Sequence, residues 1–362
     1  MIPLVKTRIP PRHVLMPVLE EVLYSGYVAQ GDTVEEFERR FEEFVEGGSS
    51  LSLNSGTAAL HIALILAGVS DGDEVISTAL TAEPTNVAIK MAGGRIRYAD
   101  IDPKTMNISP DSIRNSLTSS TKAIMVVDYA GIPVDVDRIR QISEDSGIPV
   151  IHDAAHSLGS RFNGKRSGTH FPLTAFSFQA IKHITTIDGG ILQVSDPELY
   201  EKGKLIRWFG IDKNHNRLQN NIRFQGYKYH MNNVNAAVGL CQLIDVKDVI
   251  EKHVSNGRFF DVALSGIPGI ELLNYYEGSE PSYWLYTMLV DNREGLVQKL
   301  HERGVVASVL HKRSDAHEYL NDFRIELPIL NKAYDRLLHI PCGWWVTSED
   351  RERIVEIVRS GW

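Results

Sequence analysis

Several short segments carry side chains suited to covalent chemistry on a carbonyl. The first is Ser177-Phe178-Gln179-Ala180-Ile181-Lys182-His183, followed by Thr185-Thr186-Ile187-Asp188-Gly189-Gly190. A strand ends here, and a lysine follows it among apolar neighbours before a Gly-Gly turn. An amine in such surroundings loses part of its affinity for the proton, and a free amine condenses with an aldehyde to an imine. A lone lysine is ordinarily a solvated surface residue, but the apolar flanks and the turn weigh against that here. Ser177, five residues earlier, offers a hydroxyl to a phosphate beside the same amine.

Asp153 stands at the end of the apolar run Pro149-Val150-Ile151 and is followed by Ala154-Ala155-His156. A carboxylate there could pair with a protonated ring nitrogen and let a pyridinium draw electrons. It could equally cap a helix or form half of a buried ion pair. Ser55-Gly56-Thr57 opens a helix, where backbone N–H groups and the helix dipole suit a phosphate; the same tripeptide is also an ordinary cap. Gly226-Tyr-Lys228-Tyr-His230 precedes a helix of small residues from Asn233. Packing accounts for the small residues, and Lys228 and His230 call for another role. The segment Val309-Leu-His311-Lys-Arg313-Ser-Asp315-Ala-His317 reads either as a loop facing a sugar or diphosphate, or as an exposed polar loop.

The elements that must position these residues alternate. Residues 14–46 read as helix, break, helix, with Ser25–Gly31 as a shaped loop and Phe37, Phe41 and Phe44 on one face of the second helix. The helix opened by Ser55 runs to about Ala67 and stops at Gly68. Strands are expected at Glu74–Thr78, Arg95–Tyr98, Lys122–Val127, Pro149–His152, Thr174–Gln179 and Ile191–Val194. Helices lie between several of them, one from Val134 to Ser146 being closed by Gly147. This alternation predicts an α/β fold with a mostly parallel sheet covered on both faces, and such sheets bind ligands beyond the carboxyl ends of their strands. After about residue 245 the pattern becomes a smaller α+β unit. Strands are expected there at Ser282–Val290 and Val305–Leu310, with helices at Arg293–Arg303 and Thr347–Arg359, the last begun by a capping box from Thr347 to Asp350. The expected division is residues 1–245 and 246–362.

With 362 residues, the chain is long enough for a large domain plus a small one. Charged residues are 23% and the net charge is −8, with no basic block, so a nucleic-acid footprint is not expected. Its two cysteines, Cys241 and Cys342, form no CxxC pair. Neither a zinc site nor a disulfide framework is expected, and a cytoplasmic protein is. The first residues lack an apolar signal core, and no apolar run approaches the ~20 residues that cross a membrane.

The segments, taken in order, resemble the DegT/DnrJ/EryC1/StrS family of sugar aminotransferases. The matching pieces are Asn54-Ser-Gly-Thr-Ala-Ala-Leu, Gly72-Asp-Glu-Val-Ile, Asp100-Ile-Asp-Pro, Thr121-Lys-Ala-Ile, Asp153-Ala-Ala-His-Ser-Leu-Gly, Phe176-Ser-Phe-Gln-Ala-Ile-Lys-His-Ile-Thr-Thr and Gly226-Tyr-Lys-Tyr-His-Met. The opening Ser25-Gly-Tyr and Gln30-Gly31 also fit, so the resemblance covers nearly the whole chain.

The resemblance implies fold type I of the pyridoxal 5′-phosphate enzymes and a homodimer with shared active sites. It implies Lys182 as the Schiff-base lysine and catalytic proton carrier, with pyridoxamine 5′-phosphate formed in turnover. Asp153 would pair with the pyridine nitrogen, and His156 would lie near the phenolic oxygen. Gly56, Thr57 and Ser177 would hold the phosphate, with Lys228 reaching it from the other subunit. The substrates implied are glutamate and a nucleotide-linked keto-deoxysugar, a 4-keto-6-deoxyhexose or its 3-keto isomer, for a surface polysaccharide such as lipopolysaccharide or for a glycosylated metabolite. His311, Arg313 and His317 are the candidates for the substrate. The sequence departs from the family at Ala79–Pro84, which lacks the aromatic that many relatives stack on the cofactor. It also departs at Lys228, where an asparagine is frequent, and at Asp128, where histidine is. A dehydratase of the same family would carry histidine in place of Lys182. A non-catalytic cofactor-binding regulator would carry an added DNA-binding segment, and none is visible.

Overall fold

The computed structural model of the protein describes residues 1–362. Its strands are β1 (Ser49–Leu53), β2 (Glu74–Thr78), β3 (Arg95–Ala99), β4 (Thr121–Val127), β5 (Val150–Asp153), β6 (Arg161–Phe162), β7 (Lys165–Arg166), β8 (Leu173–Ser177), β9 (Gly190–Val194), β10 (Ile270–Leu272), β11 (Ser279–Glu280), β12 (Tyr286–Val290) and β13 (Leu337–Ile340). The helices are α1 (Arg12–Tyr24), α2 (Asp32–Val45), α3 (Gly56–Leu66), α4 (Glu83–Met91), α5 (Pro110–Ser116), α6 (Val136–Ser146), α7 (Pro197–Ile206), α8 (Asn233–Leu243), α9 (Val246–Ala263), α10 (Arg293–Glu302), α11 (Pro328–Tyr334) and α12 (Ser348–Arg359).

Seven strands form the central sheet in the order β1-β9-β8-β5-β4-β2-β3. The pairings β2–β3, β2–β4, β4–β5 and β5–β8 are parallel, whereas β9 is antiparallel to both β1 and β8. Six strands therefore run one way and β9 alone is reversed. The carboxyl ends of β1, β2, β4, β5 and β8, and the start of β9, all lie at one end of the sheet. The expected mostly parallel α/β sheet is present. Its strands are buried along nearly their whole length, as a sheet covered on both faces requires.

The phenylalanine face of α2 fixes one part of this end. Phe41 meets Phe176 and Phe178 edge-on at 5.2 and 5.4 Å, and Phe37 meets Phe178 at 5.7 Å. Aromatic pairs in this geometry contribute about 0.5–1.5 kcal/mol each beyond their burial. Strand side chains alternate between faces, so anchoring Phe176 and Phe178 against α2 turns Ser177 to the opposite side, toward the start of α3.

Beyond α8 the chain builds a second, antiparallel sheet, β10-β12-β13, backed by α10 and α12. The expected capping box at Thr347 and Asp350 is formed. Two expected strands differ. Only Tyr286–Val290 of Ser282–Val290 is strand, because Ser282 and Leu285 instead give their backbone N–H groups to Gly131 and Ala130 of the large sheet's loops. Val305–Leu310 makes only isolated bridges, Val305 to Ile2 and Ser308 to His339. Strand β1, unremarked in the sequence, hides behind its serines: Ser50 and Ser52 are buried but bonded to Gln193 and Glu38. The helix α9 spans two cores, with Val246 and Ile250 in the one under α2 and Phe260 in the C-terminal one. No helix is long and apolar enough to cross a membrane.

Candidate active site

A cavity of about 380 Å³ opens at the carboxyl end of the sheet. Its walls come from the turns after β1 (Ser55, Gly56, Thr57), β2 (Ala82 to Thr85), β5 (Asp153, Ala155, His156) and β8 (Ser177, Gln179, Ile181, Lys182). Asp188 and Gly189 before β9 and His311 from the C-terminal unit complete it. Segments up to about 130 residues apart in sequence meet here because their strands point the same way, and His311 is brought in from the C-terminal unit.

Ser55 caps α3, its hydroxyl accepting from the Ala58 N–H at 3.1 Å. The N–H groups of Gly56 and Thr57 lie in the first turn and have no partner within the helix, so they can hold an anion. Glycine is required at two places for close approach. A Cβ on Gly56 would stand 2.9 Å from Cβ of Ser177, and one on Gly190 would stand 2.6 Å from the Ser55 carbonyl. The turn, α3 and Ser177 thus make one tight anion cradle.

Asp153 is buried and accepts from the Thr85 hydroxyl at 2.7 Å and the Ala155 N–H at 3.0 Å. Thr85 is itself 2.7 Å from the Thr81 hydroxyl. Burial raises the carboxyl's pKa, and the Thr85 bond, the Ala155 N–H and the Lys182 charge oppose that rise. A cation placed against it would favour the ionised form further. Lys182 is accessible only in part. Burial pulls its pKa from 10.5 down to about 8, against the attraction of Asp153. The amine lies 4.0 Å over the ring of Trp284, whose Nε1 donates to the Ile181 carbonyl at 2.9 Å.

His156 is held neutral by burial first and by the nearby Lys182 charge second. Its ring stacks on Trp284 at 4.1 Å and is parallel to that of His311 at 6.0 Å. Burial and Lys182 bring His311 down to about 4, partly opposed by Glu83, whose carboxylate is 3.5 Å from Nδ1. His317 lies 4.0 Å from the same carboxylate. The wall at Ala82 and Pro84 contains no aromatic ring, as the sequence of this turn dictates.

Of the residues singled out in the sequence, Gly56, Thr57, Asp153, His156, Ser177, Lys182 and His311 come together in the cavity. Arg313 does not line it: its guanidinium grips Asp315 through Nε and Nη2 at 2.6 Å each and Asn331 at 2.7 Å. Lys228 also lies outside this cavity. It is exposed, bridges Trp208, and its carbonyl takes the Asn54 amide at 3.2 Å. Asp128 is buried beneath the site, bound by His152 at 2.9 Å, Ser167 at 3.1 Å and the Val134 N–H at 2.9 Å. Thr85, Glu83 and Trp284 were not singled out in the sequence. Thr81 and Thr85, four residues apart across the start of the helix that follows a parallel strand, are the available signal for the first. Trp284 was concealed in an apolar run that reads as strand.

The sequence profile of the DegT/DnrJ/EryC1/StrS aminotransferase family matches residues 13–359. The sugar aminotransferase CalS13 of Micromonospora echinospora is 35% identical, with a TM-score of 0.96 and full coverage of both chains. The Streptococcus pneumoniae protein Spr1654, a candidate sugar aminotransferase solved in its PLP and PMP forms, is 26% identical, with a TM-score of 0.91, covering 99% of this chain and 97–98% of the other. The spore coat polysaccharide biosynthesis protein SpsC of Bacillus subtilis is 30% identical over 94% of this chain and 92% of its own.

Proposed function

The chain belongs to the DegT/DnrJ/EryC1/StrS aminotransferase family and is an aminotransferase that works with pyridoxal 5′-phosphate; from that premise we propose that it moves an amino group from glutamate to a nucleotide-linked keto-deoxysugar. The product would serve a surface polysaccharide or a glycosylated metabolite. The observation that carries the reading is one cavity in which the amine of Lys182, the carboxylate of Asp153 and the anion cradle of Gly56, Thr57 and Ser177 face one another.

These residues fit the cofactor by their donor set. The cradle, closed to any Cβ at Gly56, suits the phosphate. Asp153, kept in place by Thr85 and the Ala155 N–H, suits a protonated ring nitrogen. His156, three residues further on and in the same cavity, would serve the phenolic oxygen. Lys228, exposed and outside its own cavity, would complete the phosphate site of a second copy in a homodimer, acting as a point charge. Pyridoxal phosphate supplies an aldehyde carbon for the amine and an electron-withdrawing ring.

Lys182 would anchor the cofactor and, when its amine is free, move a proton between the donor's Cα and the cofactor's C4′. An amine with a pKa of about 8 suits both the base and the acid role near neutral pH. Asp153 would hold the ring proton throughout, and the buried rings of His156 and Trp284 would keep water from the reacting carbon. His311, with Glu83 behind it, would face the sugar, with His317 and Arg313 further out along the same loop. The test is a panel of nucleotide-linked keto sugars assayed with glutamate, the aminated carbon being read by NMR. Amination with glutamate of simple keto acids alone, and of no sugar in the panel, would refute the proposal.

A further inference from the structure

We propose that Trp284 is a positioning residue of this reaction, its indole holding the amine of Lys182 whenever that amine is free and fixing the ring of His156 beside it. The proposal rests on Lys182 being the cofactor-bearing lysine.

The segment that carries Trp284 leaves the small sheet to reach the site. Ser282 donates its N–H to the Gly131 carbonyl at 3.0 Å and Leu285 to the Ala130 carbonyl at 3.3 Å, so the four residues before β12 follow the large sheet's loop. Gly131 has φ +95°, and a Cβ there would stand 2.9 Å from the Trp284 nitrogen and from the His156 carbonyl. This approach needs a glycine. The side chain is 2% exposed, and its only N–H is committed to the Ile181 carbonyl at 2.9 Å. What the indole has left to offer is its π surface, which lies 4.0 Å from the Lys182 amine and 4.1 Å from the His156 ring.

An ammonium over an indole is attracted by the ring's negative face, most strongly where water is excluded. The other titratable groups facing Lys182 are Asp153 on β5, His156 after it, His183 next along the chain and His311 from the loop. Burial keeps the three imidazoles neutral, and the Asp153 carboxylate is shared with Thr85 and the Ala155 N–H. The indole is therefore the amine's second source of stabilisation. Its segment leads into the small sheet at β12 but packs in the core of the large sheet, so the Ala130–Gly131 loop sets where the proton carrier waits. His156, stacked on the same indole, is set by the same contact.

The experiment uses apoenzyme. Lys182 is modified with trinitrobenzenesulfonate across pH, and the extent is read on the Lys182 peptide by mass spectrometry in wild type, W284F and W284L. The midpoint in W284L should fall by about half to one pH unit, because the protonated amine loses its π contact, and W284F should restore most of it. In the loaded enzyme, W284L should lower kcat and shift its acid limb in the same direction, with the KM for glutamate little changed. If W284L does not fold, replacing all five tryptophans with a fluorinated analogue keeps shape and Nε1 while weakening the ring face, and the midpoint should again fall. An unchanged or raised midpoint, or equal shifts in W284F and W284L at equal Tm, overturns the proposal. Borohydride capture of the cofactor on Lys182 in wild type reports separately on the assignment of the lysine.

Discussion

Replacing Asp153 with asparagine should make Lys182 a better nucleophile and the enzyme a worse catalyst. At a pKa of about 8, roughly a tenth of the lysine is free amine at pH 7, against about one part in 3000 at 10.5. Asp153 opposes that lowering through its charge. Asp153 and Lys182 line the same cavity, and a neighbouring opposite charge typically shifts a pKa by about 1–3 units. Removing the charge should therefore lower the lysine's pKa by about one pH unit or more, leaving about half of it or more free at pH 7. The amide cannot hold a ring proton, so the glutamate half-reaction should slow by on the order of 10²–10³ despite the readier amine. Asparagine can still meet the Thr85 hydroxyl, so the fold should tolerate it. The assays are pH-dependent labelling of Lys182 in the apoenzyme and stopped-flow absorbance for the half-reaction. A labelling midpoint that stays put or rises would refute the electrostatic argument. A near-normal half-reaction would reduce Asp153 to a structural cap.

Lys182→Ala should abolish turnover, and borohydride should fix the mass of the cofactor on Lys182 of the wild type and on no residue of the variant. Arg313→Ala should raise the KM for the nucleotide sugar and leave the glutamate half-reaction nearly unchanged; equal loss in both half-reactions would assign Arg313 to the Asp315 ion pair that shapes the loop. Thr347→Ala removes the hydroxyl that accepts from the Asp350 N–H at 3.1 Å and should lower stability by about 1 kcal/mol, read as a reduced Tm with unaltered kinetics.

The parts of this molecule legible in the sequence are those set by local pattern. Glu74–Thr78 reads as a strand because its β-branched Val75, Ile76 and Thr78 follow the turn at Gly72, and Gly147 marks the end of α6 because it takes the left-handed conformation there. The ends of β5 and β8 could be located, and with them Asp153 and Lys182, since parallel strands carry function at their carboxyl ends. What stayed hidden depends on distant partners. The serines of β1 look unsuited to a core until Glu38 and Gln193 are seen to satisfy them. Trp284 has the composition of a strand residue, and only the bonds of Ser282 and Leu285 to the Ala130–Gly131 loop draw it out of the ladder. Arg313 has the chemistry of a phosphate ligand, and that its guanidinium also meets Asn331 of α11 is set by the fold and not by its neighbours in the chain.

The bridge between Ile2 and Val305 has a consequence for how the protein is made. Ile2 packs in the C-terminal core, and Trp345 donates to the Pro3 carbonyl at 2.9 Å. The segment that pairs with Ile2 is translated about 300 residues after it. At about 5–20 residues per second, that is a delay of roughly 15 to 60 seconds. During that interval the large sheet can form while the apolar side chain of Ile2 stays uncovered near a growing chain. The C-terminal unit is thus sealed by a segment translated long before the rest of that core, and Ile2→Ser should slow completion of that core while leaving formation of the large sheet unchanged.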